Sequence, residues 1–147
     1  MNLLWFGQAL ATAEALTLAR RAGLDLDTLL AAVGESAASS RFVTGDAQAL
    51  LDGDDLTSFS LARCCEELSS VLSLGHELDV PLELASLVSE LHRRALAHYG
   101  DVDGELLGAR LIAERAGVTL RRGSGSAGQA SPGLGFAAVR PGGGPAS

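Results

Sequence analysis

The first twenty residues of the chain are apolar around most of a helix. Thirteen residues precede the first charged one, Glu14, and the run ends in two arginines. The apolar positions recur at helical spacing, with one stripe at Leu3, Phe6, Leu10, Ala13 and Leu16 that Trp5, Ala9 and Ala11 widen. A helix that is apolar on most of its circumference is buried, either within its own domain or against a second one. We therefore predict a core helix over residues 2–21 that starts without a cap, because its first turns would lie upstream of Met1.

Two other interpretations of this run, a secretory signal and a membrane span, fail on the position of its charges. A signal peptide carries basic residues before its apolar stretch, and the first basic residue here is Arg20. A spanning helix needs about 20 apolar residues, and Glu14 would lie near the bilayer centre, which is costly. We expect a cytoplasmic protein with no membrane partner.

The rest of the chain predicts helices only. Leucine and alanine dominate, and no stretch alternates between apolar and polar residues as a half-buried strand would. The expected helix stops are Gly23, Gly34, Gly100 and Gly117. The expected helix starts are Asp25, Ser39 or Ser40, Thr57 or Ser58, Pro81 and Asp103. The predicted fold class is an all-α helical bundle of five to six helices over residues 1–120.

Residues 121–147 differ in composition from everything before them. The stretch RRGSGSAGQASPGLGFAAVRPGGGPAS consists mainly of Gly, Ser, Pro and Ala and shows no periodicity. Such a segment cannot bury enough apolar surface to offset its chain entropy. It predicts a disordered tail.

The predicted folded part is strongly acidic. All eleven basic residues of the chain are arginines, and eight of them precede residue 121, together with all eighteen Asp and Glu residues. Residues 1–120 therefore carry a formal charge of −10. Because such a field repels phosphate, we expect neither nucleic acid nor an anionic membrane surface as a partner.

No stretch of the sequence forms a self-contained metal site or active site. Zinc needs three or four convergent ligands, and the histidines do not share a face, so we expect surface or capping positions for His76, His92 and His98. Adjacent residues of a helix point about 100° apart. Cys64 and Cys65 are therefore expected to pack as small apolar side chains. Glu66 and Glu67 also diverge, which leaves Glu67 solvated and the position of Glu66 open.

Two stretches resemble a known family. The run NLLWFGQALATAEALTLARRAGLDLDTLLAAV and the later run DVPLELASLVSELHRRALAHYGDVD are similar to the C-terminal helical domain of the β-hydroxyacid dehydrogenases. That family includes 3-hydroxyisobutyrate dehydrogenase, tartronate semialdehyde and glyoxylate reductases and, more distantly, 6-phosphogluconate dehydrogenase. The resemblance covers about residues 1–117. It implies a 6-phosphogluconate dehydrogenase C-terminal domain-like fold, a homo-oligomer formed through the helical domain, and NAD or NADP bound only together with an N-terminal Rossmann domain.

The resemblance also assigns candidate site residues. In the family the long helix begins with a G-x-x-x-K-x-x-x-N pattern, whose lysine moves the proton of the substrate hydroxyl and whose asparagine holds the substrate. Asn2 corresponds to that asparagine, and the lysine would lie just before Met1. Aligning Phe59 with a family phenylalanine places Glu66 at a lysine near the nicotinamide and Glu67 at the following aspartate. Glu66 thus reverses a charge, which disfavours an anionic substrate or a cofactor phosphate nearby.

Three hypotheses remain open from the sequence. The first is the substrate and dimerisation domain of an NAD(P)-dependent dehydrogenase, and this domain is inactive alone. The complete enzyme would act on a neutral or cationic substrate, as the related imine reductases do, or would have lost activity. The second is a non-catalytic helical oligomerisation module left over from that family. The third is an acidic helical bundle whose likeness to the family is accidental.

Overall fold

A computed structural model describes residues 2–122, and these residues form an all-α domain. Six α-helices and one π-helical turn, Phe42–Asp46, make up the bundle. The helices are α1 (Leu3–Arg21), α2 (Leu26–Gly34), α3 (Gln48–Asp52), α4 (Leu61–Glu77), α5 (Glu83–Tyr99) and α6 (Leu107–Arg115). Residues 2–122 contain no strand, only an isolated bridge between Ser60 and Asp103. Within this range no helix is long and apolar enough to cross a membrane.

Helix α1 lies at the centre and packs against α2, α5, α6 and the π-helical turn. Four positions of the predicted stripe are fully buried, at Phe6, Leu10, Ala13 and Leu16. The first turn has no side-chain cap, because the backbone of Asn2 is itself helical. The prediction of an uncapped core helix is confirmed.

Helices α4 and α5 form an antiparallel pair joined by a five-residue turn. Glycine is favoured near this turn, because a Cβ on Gly75 would overlap the side chain of Leu82, which would have to move. The amide of Val80 donates to the carbonyl oxygen of Gly75 at 2.8 Å, which closes the end of α4. Asp79 adopts a left-handed conformation, with φ of 53°, to reverse the chain.

Three predicted helix starts are wrong, and at two of them the loop before α4 pairs with the loop before α6. Helix α4 is capped by Ser60, whose hydroxyl accepts from the amide of Arg63 at 3.3 Å, and not by Thr57 or Ser58. Helix α5 starts at Glu83, two residues after Pro81. Asp103 pairs with Ser60 in the bridge, and α6 begins only at Leu107. The predicted start at Asp25 is confirmed, since its carboxylate accepts from the amide of Thr28 at 2.8 Å.

One histidine contradicts its predicted surface position. His92 is only 1% exposed and lies edge-on against Phe6, whereas His76 and His98 are exposed. Its ring N–H at Nδ1 donates to the carbonyl of Val88 at 2.9 Å, which allows a neutral imidazole to occupy the core. Cys64, also 1% exposed, packs there as the small apolar side chain that was predicted.

The last described residues lie against the helices. Leu120 is buried in the main core, and the amide of Arg122 donates to the carbonyl of Leu51 at 2.8 Å. The guanidinium of Arg122 pairs with Asp27 and Asp52. The rest of the predicted tail, 123–147, lies outside the described residues, so its disorder stays a prediction.

Candidate functional site

The structure joins two of the predicted site residues across 65 positions of sequence. The side-chain amide of Asn2, at the start of α1, donates to Oε2 of Glu67 on α4, with 2.7 Å between nitrogen and oxygen. The asparagine is free to reach across because it does not cap its own helix. The prediction that Glu67 is solvated is wrong, because its side chain is only 28% exposed.

A small pocket opens at this hydrogen bond, between the first turns of α1 and the middle of α4. Its volume is about 190 Å³. Polar and apolar side chains both line it, namely Asn2, Leu3, Phe6, Glu67, Leu68, Ser70 and Val71. Phe6 and Leu68 belong to a buried cluster with Cys64, so the inner wall of the pocket rests on the core. The pocket combines one amide, one carboxylate and one hydroxyl with an apolar wall.

Glu66 points away from this pocket. Its side chain is 69% exposed, and its carboxylate lies 3.6 Å from the guanidinium of Arg63. Arg63 also lies 3.6 Å from Oε1 of Glu67 and is itself 57% exposed, so both contacts are screened by water. The two neighbouring glutamates therefore diverge as predicted, one into the pocket and one into solvent.

Phe59 lies beside the site, where two loops meet. It is half-buried and packs against the cluster that underlies the pocket. The carbonyl of Phe59 accepts from the amide of Gly104 at 2.9 Å, and the carbonyl of Leu56 accepts from the amide of Glu105 at 2.9 Å. These bonds hold the loop before α4 against the loop before α6. They place Glu105 on the same side of the domain as Glu67.

Several side chains around the site were not identified from the sequence. One turn after Asn2, the indole N–H of Trp5 donates to Asp46 of the π-helical turn at 2.7 Å. Burial raises the pKa of Glu105, and the charges of Asp46 and Glu67 raise it further. Helical spacing from Glu67 could have indicated Ser70 and Val71, whereas Asp46 and Glu105 meet the site only through the tertiary fold.

The surroundings of the pocket are aromatic and acidic. Trp5 and Phe59 are half-buried and pack against the cluster beneath the pocket, and aromatic surfaces of this kind pack well against a planar ring. Glu67, Asp46 and Glu105 would repel a pyrophosphate, and Arg63 is the cation that pairs with Glu67. Within residues 2–122 no group of three His, Cys, Asp or Glu side chains is placed to hold a metal ion.

Comparison with solved structures gives the class of protein. The fold matches the crystal structure of 3-hydroxyisobutyrate dehydrogenase from Salmonella typhimurium with a TM-score of 0.68 and 26% sequence identity. The match covers 75% of this chain and 39% of that enzyme, so the chain spans well under half of its relative. The described residues thus form a domain of the type found as the all-α C-terminal domain of 3-hydroxyisobutyrate dehydrogenase-like proteins.

The sequence agrees with that class. Residues 1–112 match the family model described as the NAD-binding domain of NADP-dependent 3-hydroxyisobutyrate dehydrogenase. The chain belongs to this family, and membership implies NAD or NADP as the cofactor. A search of curated protein sequences found no significant match.

Proposed function

We propose that this chain is the substrate-side helical domain of a cytoplasmic NAD(P)-dependent dehydrogenase or reductase, and that it turns over no substrate alone. In this role a Rossmann domain carries the phosphates of the dinucleotide, which the acidic surface of this domain repels. A bound nicotinamide supplies or accepts hydride. The helical domain positions the substrate and excludes water from it.

One observation carries the proposal: Asn2, which the family resemblance assigns to substrate binding, is fixed by Glu67 at the edge of a pocket. A hydrogen bond to a charged acceptor restricts the rotamer of Asn2 more strongly than a neutral one would. The amide is therefore preorganised before a ligand arrives. Phe59 and Trp5 would face the nicotinamide end of the cofactor, whereas Glu66 points into solvent.

Trp5 gives a direct test, since it is the only tryptophan in the chain and neighbours Asn2. The chain would be joined behind a tryptophan-free Rossmann domain of the family and titrated with NADPH and NADH. We expect saturable energy transfer from Trp5 to the reduced nicotinamide in the joined protein, and little transfer with the chain alone. A joined protein that binds the dinucleotide without any energy transfer from Trp5 would contradict the proposed site.

We also propose that a second copy of the chain covers an apolar groove between α1 and α5. The groove has a volume of about 790 Å³ and is lined almost entirely by apolar side chains. Leu4, Leu84 and Leu87 line it and are 66%, 80% and 56% exposed. Large exposed apolar patches of this kind mark interaction surfaces.

Sedimentation of a matched pair of variants tests the groove. Leu84→Glu places a charge in it, whereas Leu18→Glu changes a leucine on α1 that is 73% exposed and does not line it. We expect the parent and Leu18→Glu to sediment as dimers and Leu84→Glu as a monomer. Equal masses for all three would exclude the groove as the subunit contact.

The second candidate is a non-catalytic helical oligomerisation module. The groove favours it, because an exposed apolar surface of this kind can serve oligomerisation without any catalytic chemistry. The two functions differ in the fluorescence experiment. A dimer whose Trp5 never responds to NADPH, even beside a Rossmann domain, would be the module.

A further inference from the structure

We propose that the pocket between α1 and α4 binds a protonated amine or iminium group carried on a small apolar body, and not a carboxylate. As an assignment of substrate class this rests on the proposed function, but the binding itself depends only on side chains of the described domain. It follows from which hydrogen-bonding groups the pocket still offers once its internal bonds are made.

The carboxylate of Glu67 determines which end of the Asn2 side-chain amide faces it. An ionised carboxylate only accepts hydrogen bonds, so the Asn2 group that lies 2.7 Å from Oε2 of Glu67 is the NH₂ and not the carbonyl. The carbonyl oxygen of Asn2 is then the end left for a ligand, and within residues 2–122 no group donates to it. Asn2 therefore presents mainly an acceptor.

The other two polar side chains also present acceptors. The hydroxyl of Ser70 donates its proton to the carbonyl of Glu66 at 3.0 Å, which leaves only its lone pairs. Oε1 of Glu67 has one cation nearby, Arg63, at a loose 3.6 Å. Apart from the second N–H of Asn2, the side chains that line the pocket have no donor to offer a ligand.

A ligand complementary to this arrangement carries N–H donors and a positive charge. A carboxylate would place its oxygens beside Glu67 and the Asn2 carbonyl, where it would lose water and gain at most the second N–H of Asn2 as a partner. A protonated nitrogen donates to both groups and balances the charge of Glu67. Glu105 and Asp46, on the same side of the domain, add to the negative potential.

The apolar wall and the size of the pocket limit the rest of the ligand. Leu3, Phe6, Leu68 and Val71 line the pocket together with the polar groups. A volume of 190 Å³ corresponds to about six water molecules. The ligand body that fits is therefore a ring or chain of roughly five or six non-hydrogen atoms.

Ligands of similar size and different charge test this on the full chain without any cofactor. Pyrrolidinium chloride is the cation, tetrahydrofuran its neutral analogue of equal ring size, and sodium 3-hydroxyisobutyrate the anion, all at constant ionic strength and pH 7. Chemical shifts of the Asn2 side-chain amide and of the Leu68 and Val71 backbone amides report binding. We expect saturable shifts with pyrrolidinium at least about tenfold tighter than with either other ligand.

Two variants of equal charge change locate the site. Glu67→Gln removes the carboxylate in the pocket, and Glu66→Gln removes the neighbouring carboxylate that lies in solvent. Pyrrolidinium binding should weaken at least about tenfold in Glu67→Gln and stay within about twofold of the parent in Glu66→Gln. Equal losses in both variants would show general attraction to an acidic surface and overturn the proposal.

The other outcomes are equally decisive. Binding of 3-hydroxyisobutyrate as tight as that of pyrrolidinium would overturn the proposal and would point to the uncapped first turn of α1 as a carboxylate site. No shift with pyrrolidinium up to its solubility would also overturn it. Pyrrolidinium binding without any response of Trp5 to NADPH in the joined protein would leave the pocket chemistry intact and remove the dehydrogenase role.

Discussion

The buried histidine makes the stability of this domain depend on pH in a direction that can be calculated. His92 is 1% exposed, and its ring centroid lies 4.8 Å from that of Phe6. Burial lowers the pKa of His92 below its ordinary value of 6.5, and the hydrogen bond to the carbonyl of Val88 opposes this only in part. The folded domain therefore holds His92 neutral at a pH where the unfolded chain would protonate it.

The sign and size of the effect follow from proton linkage. Below pH 6.5 the unfolded chain binds a proton that the folded domain does not, so the free energy of unfolding falls as the pH falls. The stability that His92 contributes is complete above 6.5 and is lost towards the lower pKa of the folded state. One unit below the unfolded pKa, the loss reaches up to about 1.4 kcal/mol, or roughly 6 °C in Tm for a domain of this size.

Urea unfolding of the parent and of His92→Leu, followed by circular dichroism, measures this term. The variant places an apolar side chain of similar volume at this position and removes both the titration of His92 and its hydrogen bond to Val88. Asp55 and Glu105, whose pKa values burial raises, act in the opposite direction but are common to both proteins. Between about pH 7.5 and 5.5 the parent should lose up to about 1.4 kcal/mol more than the variant. Parallel pH profiles would refute the assignment of a neutral buried imidazole.

Three further predictions concern the core, the turn after α4 and the site. Burial raises the pKa of Cys64 to about 12. In a Cys65→Ser background, Cys64 should therefore resist a thiol-specific disulfide reagent at neutral pH and react fully in guanidinium chloride. Prompt reaction in the native protein would contradict the burial of Cys64. Gly75→Ala should lower the free energy of unfolding by about 1–3 kcal/mol, because the new Cβ overlaps Leu82. In a Leu82→Ala background the same substitution should cost much less. Additive losses in this double-mutant cycle would place the strain elsewhere. In the protein joined to a Rossmann domain, Asn2→Ala should lower turnover while circular dichroism stays that of the parent, and unchanged turnover would argue against its role in positioning the substrate.

The helices themselves could be predicted from the sequence because their signals are local. The apolar stripe of α1, the Asp25 cap and the glycine stops at Gly23 and Gly117 each depend on a few consecutive residues. Both glycines adopt the positive φ that ends a helix easily, at 77° and 68°. Periodicity and capping are properties of a single helix, so no knowledge of the partner elements is needed.

The candidate site could be predicted only as far as the family resemblance reached. It assigned Asn2 and Glu67, and the structure brings them together. It also assigned Glu66, which lies outside the pocket in solvent. Direct reasoning from the residues placed Glu67 in water, because the spacing on α4 alone does not show which face of that helix meets α1.

By itself, then, the sequence determined that the described domain is helical, that α1 is its buried centre, and that residues 1–120 are strongly acidic. Only the tertiary structure decided that Ser60 and not an earlier hydroxyl caps α4, that His92 is a core residue, and that the side-chain amide of Asn2 donates to Glu67. The physical reason is that a cap or a buried polar group is settled by competition among partners distant in sequence. The loop from Asp101 to Glu105 supplies hydrogen-bond partners to the start of α4. Glu67 accepts a hydrogen bond from the side-chain amide of Asn2.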